Sequence, residues 1–529
     1  MTAFTRAQIE SIPRVRRSLI ALTASITLLA GCGGAAIDTA AEPGAAQADP
    51  ATAVTDVPAG TDTVAVPDAT VPDASTAGGA ATAGGATAGG ATAGGATAGG
   101  ATAAKPKAGE AGTAKTTAST LSAVEKVIAT SPIFGGNGPC KPATLSPIAI
   151  GNVSTLSGVI GELMSPVRSG LETFTASQNA CGGLNGHKIE LFIGDDQGDP
   201  STASSKVQEL IQKNKVMAFI GNIQVLTVDA IVPVIKKYGI PVIGSDLTSN
   251  TWFTNPLLFP MGSGIQSTAY GYLNAAVNYF KVKNVGQMWC LEVPRACEQH
   301  DRAFRELAPM MGATVKKTIQ VSITAPSYVQ QCLDMKNAGV EAMGLTFDAA
   351  SQNRVARSCT QVGFFPKVMP YPLGVGNEKQ FLQGNKWLGN AYVSMNHFPW
   401  FMSDTPALAY WQASIKKFNP GFTNGGAAVM GWSSGALLVA AAAGLSAENP
   451  TTQQLLQTLW TFKGQKWTTL GGLTPPLTFR ENGNPSVPYC LWTGISNPEN
   501  TGWSSGTSKP ACTDLIAPSD PQKLLVGKP

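Results

Sequence analysis

Alternating short apolar runs and amphipathic helical patterns between residues 146 and 248 constrain the fold of this chain more than any other feature. The apolar runs are residues 146–152, 216–221 and 240–245, and residues 187–200 form a further predicted strand that ends in an acidic turn. Strands that alternate with helices of this length indicate a parallel sheet covered on both faces. Ligands bind such sheets beyond the carboxyl ends of the strands. We therefore expect the functional site at the loops formed by residues 155–158, 222–225 and 245–248.

A second series of the same kind follows from residue 264. Its predicted strands are residues 284–291, 313–321, 341–347 and 367–371. After about residue 395 the pattern changes to an amphipathic helix and then to a helix, within residues 427–445, that is apolar on every side and is expected to be buried. The fold class predicted is α/β, with two Rossmann-like lobes whose parallel sheets are joined by a hinge.

This pattern also predicts the division of the chain into domains. The predicted segments are a signal peptide at 1–31, a linker at 32–120, lobe 1 at 140–263, lobe 2 at 264–395, a return segment completing lobe 1 at 396–465, and C-terminal strands and loops at 466–529.

Residues 1–31 have the character of a targeting segment and are left out of the fold prediction. Three arginines, Arg14, Arg16 and Arg17, precede an apolar stretch at residues 19–30 that is too short to span a bilayer. The sequence Leu-Ala-Gly-Cys that ends at Cys32 resembles the lipobox of bacterial lipoproteins. That resemblance implies that Cys32 becomes the first mature residue and carries lipid, which places the protein on the outer face of the bacterial cell membrane. The alternative is an ordinary secretory signal that is followed by a cysteine by chance.

Residues 33–120 contain no aromatic residue and include four tandem copies of Ala-Thr-Ala-Gly-Gly at residues 81–100. A segment of this composition buries too little apolar surface to offset the entropy of ordering its backbone. We therefore expect the linker to be a disordered tether between the membrane and the folded lobes.

The chain has nine cysteines, and eight remain when Cys32 is set aside. An even number in an exported protein indicates disulfide bonds. The order of the cysteines suggests the pairs Cys140–Cys181, Cys290–Cys297, Cys332–Cys359 and Cys490–Cys512. The sequence leaves other connectivities open. It contains no Cys-x-x-Cys motif, so neither a zinc ribbon nor a thioredoxin-type site is indicated.

Charge and motifs argue against two other classes of protein. The 37 Lys and Arg residues nearly balance the 33 Asp and Glu residues, so no nucleic-acid partner is expected. Residues 431–435, Gly-Trp-Ser-Ser-Gly, match the nucleophile elbow of α/β-hydrolases at Ser433. In that fold the catalytic histidine follows the serine, whereas all three histidines of this chain precede it. We expect no enzymatic activity, no bound metal and no cofactor.

Several segments resemble the type 1 periplasmic-binding-protein family, in particular the leucine/isoleucine/valine-binding-like receptors of ABC importers. They are IGNVSTLSG (150–158), GGLNGHKIELFIGDDQGDP (182–200), VMAFIGN (216–222) and YGIPVIGSDLTSN (238–250). The resemblance implies two hinged lobes that close on a small polar ligand. It also implies an ABC permease as the membrane partner.

The resemblance implies a carboxylate-binding site in lobe 1 and contacts from the second half of the chain. The implied ligand-binding residues are Ser157, Gln224, Asp246 through its backbone and Thr248 through its hydroxyl and N–H; Tyr371 and Trp432 are further candidates from the second half of the chain. Five of them have a structural alternative: a helix cap for Ser157 and Thr248, an Asx turn for Asp246, and a core position for Tyr371 and Trp432.

Lobe 2 departs from the pattern of the amino-acid-binding members of that family. Positions where those members carry aromatic residues fall near Ala296 and Ala349. The position of the carboxylate that pairs with a ligand ammonium is Leu373. These departures argue against an α-amino-acid ligand.

The function predicted is that of a monomeric, lipid-anchored solute-binding protein that captures an amino acid, an amide or a small carboxylate for an ABC importer. The alternative is a ligand-sensing or cell-envelope interaction protein on the same fold.

Overall fold

The computed structural model describes residues 110–422, 424–526 and residue 528. The predicted signal peptide, Cys32 and the tandem repeats lie outside the described residues. Helix α1 (Glu110–Thr130) begins within the stretch 32–120 that the sequence assigns to the linker. It packs against residues 132–134 and 426–472, and Val124 in its second half is fully buried.

Five parallel strands form the sheet of lobe 1. They are β1 (Leu145–Ser154), β2 (His187–Asp195), β3 (Ala218–Asn222), β4 (Val242–Ser245) and β5 (Leu258–Phe259). Their order across the sheet is β2-β1-β3-β4-β5. Strands β3 and β4 are buried on both faces, as expected of strands inside a parallel sheet that is covered by helices.

The helices of lobe 1 lie between these strands. They are α2 (Gly161–Met164), α3 (Pro166–Asn179), α4 (Pro200–Gln212) and α5 (Val228–Tyr238). The sequence of helix α4 explains why a helix begins here. The Asp199 side chain caps it by accepting a hydrogen bond from Thr202 N, and Pro200 occupies its first turn. Its apolar side chains recur at helical spacing and are buried against the sheet.

Lobe 2 repeats this architecture with four parallel strands. They are β6 (Asn284–Cys290), β7 (Thr314–Val321), β8 (Ala342–Thr346) and β9 (Lys367–Pro370), in the order β7-β6-β8-β9. Its helices are α6 (Ile265–Asn274), α7 (Pro294–Met310), α8 (Val329–Asn337), α9 (Ala349–Gln361) and α10 (Glu378–Phe381). The two parallel sheets confirm the predicted α/β fold class with two lobes.

The chain then crosses between the lobes twice more. Its remaining elements are β10 (Tyr392–Met395), α11 (Pro406–Phe418), α12 (Gly426–Ala441), α13 (Thr452–Leu459), β11 (Thr478–Arg480), β12 (Gly483–Ser486), β13 (Tyr489–Ser496), β14 (Trp503–Gly506) and β15 (Ala511–Thr513). Strands β11 and β12 form a separate antiparallel pair, while β13 pairs with β10, β14 and β15.

Helix α12 belongs to the core of lobe 1, although it follows lobe 2 in sequence. It packs against α3, β3 and β4. A Cβ atom added at Gly170 of α3 would lie 2.1 Å from Ala428 O, so the two helix backbones approach closely. By length and composition, residues Gly426–Gly444 could cross a membrane, but the whole segment is buried inside the protein. It is therefore the core helix that its all-apolar sequence predicts.

Ser263 joins the three segments that cross between the lobes. It lies in the first crossing, where its side chain is fully buried. Its hydroxyl donates to Pro488 O (2.7 Å) and accepts from Cys490 N (3.1 Å), both in the third crossing. Its carbonyl oxygen accepts from Asn396 Nδ2 of the second crossing (3.1 Å). Ser263 thus ties the first crossing to the other two, which are also joined to each other by the pairing of β10 with β13.

The described residues contain four disulfide bonds, in the same pairs that the order of the cysteines suggests. They are Cys140–Cys181, Cys290–Cys297, Cys332–Cys359 and Cys490–Cys512. Each bond lies within one lobe or within the C-terminal strands, so the lobes remain free to move relative to each other about the hinge.

Candidate ligand-binding cleft

A buried carboxylate ties together the loops at the carboxyl edge of the lobe 1 sheet. Asp196, which follows β2, accepts hydrogen bonds from the hydroxyl of Thr155 (2.7 Å) and the hydroxyl of Thr227 (2.6 Å). It also accepts from Gly198 N (2.9 Å). These contacts connect the loops after β1, β2 and β3. The loops are therefore positioned before any ligand arrives.

The first two predicted site residues have protein partners in this network. Ser157 is exposed, and its hydroxyl donates to Asp195 Oδ2 (2.6 Å). Gln224 is buried; its Oε1 accepts from Asn222 Nδ2 (3.1 Å), and its Nε2 points at Asp196 Oδ2 (3.4 Å). Both side chains support the loops, and neither lines the two cavities between the lobes described below.

Asp246 and Thr248, after β4, form a tight pair. Asp246 Oδ1 accepts from both Thr248 N (2.8 Å) and the Thr248 hydroxyl (2.6 Å). This is the Asx-type turn considered as the structural alternative. The backbone N–H of Asp246 donates to Asn222 O (2.9 Å). Burial raises the pKa of Asp246 to about 6, against the opposing effect of the hydrogen bonds from Thr248 and from the Trp252 side chain.

Tyr371 lies opposite this turn, directly after β9 of lobe 2. Burial and then the nearby charge of Asp246 raise the pKa of Tyr371 well above its usual value, so its phenol stays protonated. Behind it, the His300 ring lies 6.2 Å from the Tyr371 ring and 4.9 Å from the Tyr272 ring. Burial lowers the pKa of His300 to about 3, so this ring is neutral at physiological pH.

A cavity of about 40 Å³ separates the two lobes at this point. From lobe 1 it is lined by Leu163, Met164, Val225 and Thr248, and from lobe 2 by Ile265, Cys290, Val293, Ala296, Cys297, Thr346, Phe347, Tyr371 and Leu373. Most of these side chains are apolar. The cavity has room for only a few water molecules, so a solute requires the lobes to move apart before it enters.

A second cavity of about 60 Å³ adjoins the first and shares Leu163 as a lining residue. It forms the mouth of the cleft, where Glu162 of lobe 1 faces Asp348 and Gln380 of lobe 2. Gln380 Nε2 donates to Glu162 Oε1 across the mouth (3.2 Å). Elsewhere along the cleft, Arg295 of α7 forms an ion pair with Asp229 of α5. Both contacts cross from one lobe to the other.

Trp432 is placed away from the cleft. It is fully buried in α12, and its ring packs against Phe174 (6.3 Å), Trp411 (5.1 Å) and Tyr410 (6.1 Å). These contacts match the core position that was its structural alternative. Of the six predicted ligand-binding residues, the structure brings Thr248 and Tyr371 to the cavity wall, with Asp246 bonded to Thr248.

Sequence reasoning missed most of the lobe 2 wall. The Cys290–Cys297 disulfide links the end of β6 to the first turn of α7 and lines the cavity, as does Thr346 at the end of β8. The rule that placed the site at strand ends in lobe 1 would have found these residues if it had also been applied to lobe 2. The structure also places Ala296 and Leu373 in the wall, where relatives that bind amino acids are expected to carry an aromatic residue and a carboxylate.

The hydrolase-like motif forms no catalytic arrangement. Ser433 is fully buried in the middle of α12. The ring nitrogens of His187 lie next to backbone carbonyl oxygens instead: Nδ1 is 2.8 Å from Ser146 O, and Nε2 is 2.9 Å from Ser446 O. Within the described part of the chain, no group of three or more His, Cys, Asp or Glu side chains is placed to bind a metal ion.

Comparison with known proteins agrees with this architecture. The family model described as periplasmic binding protein matches residues 147–494. A search of curated proteins finds no match. Among solved structures, the branched-chain amino acid transporter substrate-binding protein LivJ from Streptococcus pneumoniae, in complex with isoleucine, is 16% identical. The match covers 69% of this chain and 100% of that one, with a TM-score of 0.57.

Two further solved structures are of proteins associated with other ligands. A fatty acid ABC transporter substrate-binding protein from Thermomonospora curvata is 16% identical; the match covers 72% of this chain and 97% of that one, with a TM-score of 0.59. An ABC transporter solute-binding protein from R. palustris in complex with benzoate is 16% identical, with 70% and 99% covered and a TM-score of 0.55. At these identities the likeness concerns the fold.

Two α/β lobes that enclose a cleft and are joined by three crossing segments define the type 1 periplasmic-binding fold, which confirms the predicted resemblance. The family model covers well over half of the chain. The chain belongs to the periplasmic binding protein family.

Proposed function

We propose that this protein is the lipid-anchored, extracytoplasmic solute receptor of an ABC importer and that it captures a small ligand between its lobes without chemical change. The observation that carries the proposal is the cavity between the lobes. Loops at the carboxyl edges of both sheets contribute to its wall. Ser263, which links the crossing segments, lies close in sequence to Ile265 of that wall. A site divided between two hinged bodies suits capture by closure.

The proposal places the ligand next to Thr248 and Tyr371. The amino acids, amides and small carboxylates considered from the sequence are the starting range of ligands. Relatives of this fold carry isoleucine and benzoate in their solved structures, so the fold accommodates both aliphatic and aromatic solutes.

The test is to identify what the protein carries. Native mass spectrometry of the full-length protein purified from its own cells should show a bound small molecule. Adding that molecule should raise the melting temperature by mass action and reduce the radius of gyration measured by small-angle X-ray scattering. If no small molecule from a cell extract binds, or if binding leaves the lobes unchanged, capture by closure is wrong.

Membrane attachment through Cys32 has a separate test. The wild-type protein should partition with membranes and incorporate labelled fatty acid, and the Cys32→Ser variant should lose both properties. A Cys32→Ser variant that remains acylated would rule out this lipid anchor.

The partner in the membrane decides between transport and sensing. Crosslinking of the ligand-bound protein in cells should recover an ABC permease. Recovery of a sensor kinase or a cyclase in its place would favour the alternative role. Light scattering of the purified protein should give the mass of a monomer.

A further inference from the structure

The edge of the lobe 2 sheet that lies away from the cleft is basic. Parallel strands all begin on the same side of a sheet, so the loops before these strands lie next to one another. Lys281 and Lys283 precede β6, and Lys367 begins β9. Lys336 lies in the last turn of α8, and its Nζ donates to Val362 O, just before β9 (2.8 Å). These four lysines are exposed, and we call them the basic edge.

Acidic residues near the basic edge do not neutralise it. Among the described residues, none of the four lysines lies within ion-pair distance of a carboxylate. Glu341 precedes β8 at the same side of the sheet, and its Oε2 accepts from Asn284 N (3.1 Å). Asp334 of α8 accepts from Gln330 Nε2 (2.8 Å). The ammonium groups therefore remain available to an external anion.

Aromatic side chains are mixed with these lysines. The centre of the Phe280 ring lies 5.9 Å from Lys367 Nζ and packs against the rings of Tyr279 (5.0 Å) and Tyr392 (6.3 Å). Tyr279 is 49% exposed, and Phe365, in the loop before β9, is 66% exposed. Lysines beside exposed rings suit the headgroup region of a bilayer, because the rings enter the interface while the ammonium groups meet lipid phosphates.

We propose that the basic edge docks on an anionic lipid surface, with its ammonium groups against lipid phosphates and the rings of Tyr279 and Phe365 in the headgroup region. The inference rests on the proposed function, because a lipid anchor at Cys32 keeps such a surface near the protein at high effective concentration. A soluble polyanion would attract the lysines equally well, but it offers no interface for the exposed rings.

This docking determines which way the cleft faces. Cys290, at the end of β6, lines the cavity between the lobes, whereas the basic edge lies at the start of the same strand. The seven residues of β6 separate the two ends by about 20 Å. A protein that is docked through the basic edge therefore turns its cleft away from the bilayer and toward incoming solute. Delivery to the permease then requires the edge to detach.

The test measures vesicle binding by the chain that begins at residue 33, exported behind a signal peptide without a lipobox. In this form neither an attached lipid nor the apolar leader contributes to binding. The protein should float with vesicles of phosphatidylcholine and phosphatidylglycerol at low salt, and it should not float with pure phosphatidylcholine. Raised salt should weaken the binding, because it screens the lysine charges. Absence of binding to the anionic vesicles overturns the inference.

Charge-reversal variants test whether binding occurs at this edge. The double variant Lys281→Glu, Lys283→Glu should lose about tenfold or more in affinity for anionic vesicles. The double variant Lys416→Glu, Lys417→Glu makes the same change at two exposed lysines of α11 and is the matched control, which should bind as the wild type does. If the two double variants have equal affinities, the basic edge is not the docking surface.

The Phe365→Ala variant distinguishes a bilayer from a soluble polyanion. Because the ring is exposed, its removal should leave the melting temperature unchanged. It should still weaken vesicle binding severalfold, because the ring no longer enters the interface. If Phe365→Ala binds vesicles as tightly as the wild type, or if the protein binds soluble polyphosphate but not vesicles, the lipid assignment is wrong.

Failure of this inference and failure of the proposed function have different signatures. A protein that incorporates fatty acid at Cys32 and captures a solute, but whose unlipidated chain ignores anionic vesicles, refutes the docking surface and leaves the receptor function intact. A chain that binds vesicles through the basic edge although the wild type incorporates no fatty acid refutes the anchor and leaves the docking surface standing.

Discussion

The buried carboxylate of Asp246 makes a quantitative prediction about stability. Its pKa is about 6, against an ordinary value of 3.8, because burial penalises the charged form. One pKa unit corresponds to about 1.4 kcal/mol, so ionised Asp246 costs about 3 kcal/mol of folding free energy. Asp246→Asn removes this cost and keeps an acceptor oxygen for Thr248.

The sign of the pH dependence follows from linkage. The folded state holds a proton on Asp246 that the unfolded state has already released between about pH 4 and pH 6. The carboxyl therefore costs nothing below that window, and its full cost is present above it. We expect Asp246→Asn to be more stable than the wild type by up to about 3 kcal/mol near pH 8 and nearly equal to it near pH 4.

The assay is thermal unfolding of wild type and variant in parallel across this pH range. Asp195→Asn is the control, because its expected effect on stability at neutral pH is opposite to that of Asp246→Asn. Hydrogen bonds from Ser157 and backbone N–H groups outweigh partial burial and hold the pKa of Asp195 below its usual value. Its replacement should therefore destabilise the protein at neutral pH, and the difference should vanish in acid. If Asp246→Asn destabilises the protein equally at both ends of the pH range, burial does not penalise the ionised carboxylate as described.

Three further predictions concern the hinge, the cleft and the core. Ser263→Ala leaves two buried peptide groups of the third crossing unpaired and should cost about 2–4 kcal/mol, measured as a lower urea midpoint. Arg295→Gln removes an exposed ion pair between the lobes, so ligand affinity should fall by at most about fivefold, and the effect should disappear in high salt; a larger loss would show that the pair does more than hold closure. Gly170→Ala brings a methyl group onto the α12 backbone and should cost more than about 2 kcal/mol, whereas Gly421→Ala, where the added carbon meets nothing, should be close to neutral.

The alternation of strands and helices was predictable because burial on both faces of a parallel sheet leaves a continuous apolar signature. Strands β3 and β4 carry it plainly. The buried character of α12 was predictable for the same reason, since it has no polar face.

The candidate site was less predictable, because the same residue types serve both ligands and turns. An aspartate two residues before a threonine can accept from that threonine or leave its donors to a solute, and the choice depends on the packing around it. At Asp246 the turn is formed. Trp432 shows the converse problem: a tryptophan after a glycine-rich segment could face the cleft or the core. Only the aromatic contacts of the folded lobe decide in favour of the core.

The placement of α12 has a consequence for how the chain is made. One face of the lobe 1 sheet is covered by a helix that lies at residues Gly426–Ala441, after all four strands of lobe 2. Lobe 1 is therefore the first lobe to emerge during synthesis or export but the last to be completed. Its apolar strands remain uncovered on one face while the second lobe is produced. A fragment that ends before α12 should be insoluble by itself, and the nascent chain needs protection from aggregation until that helix arrives.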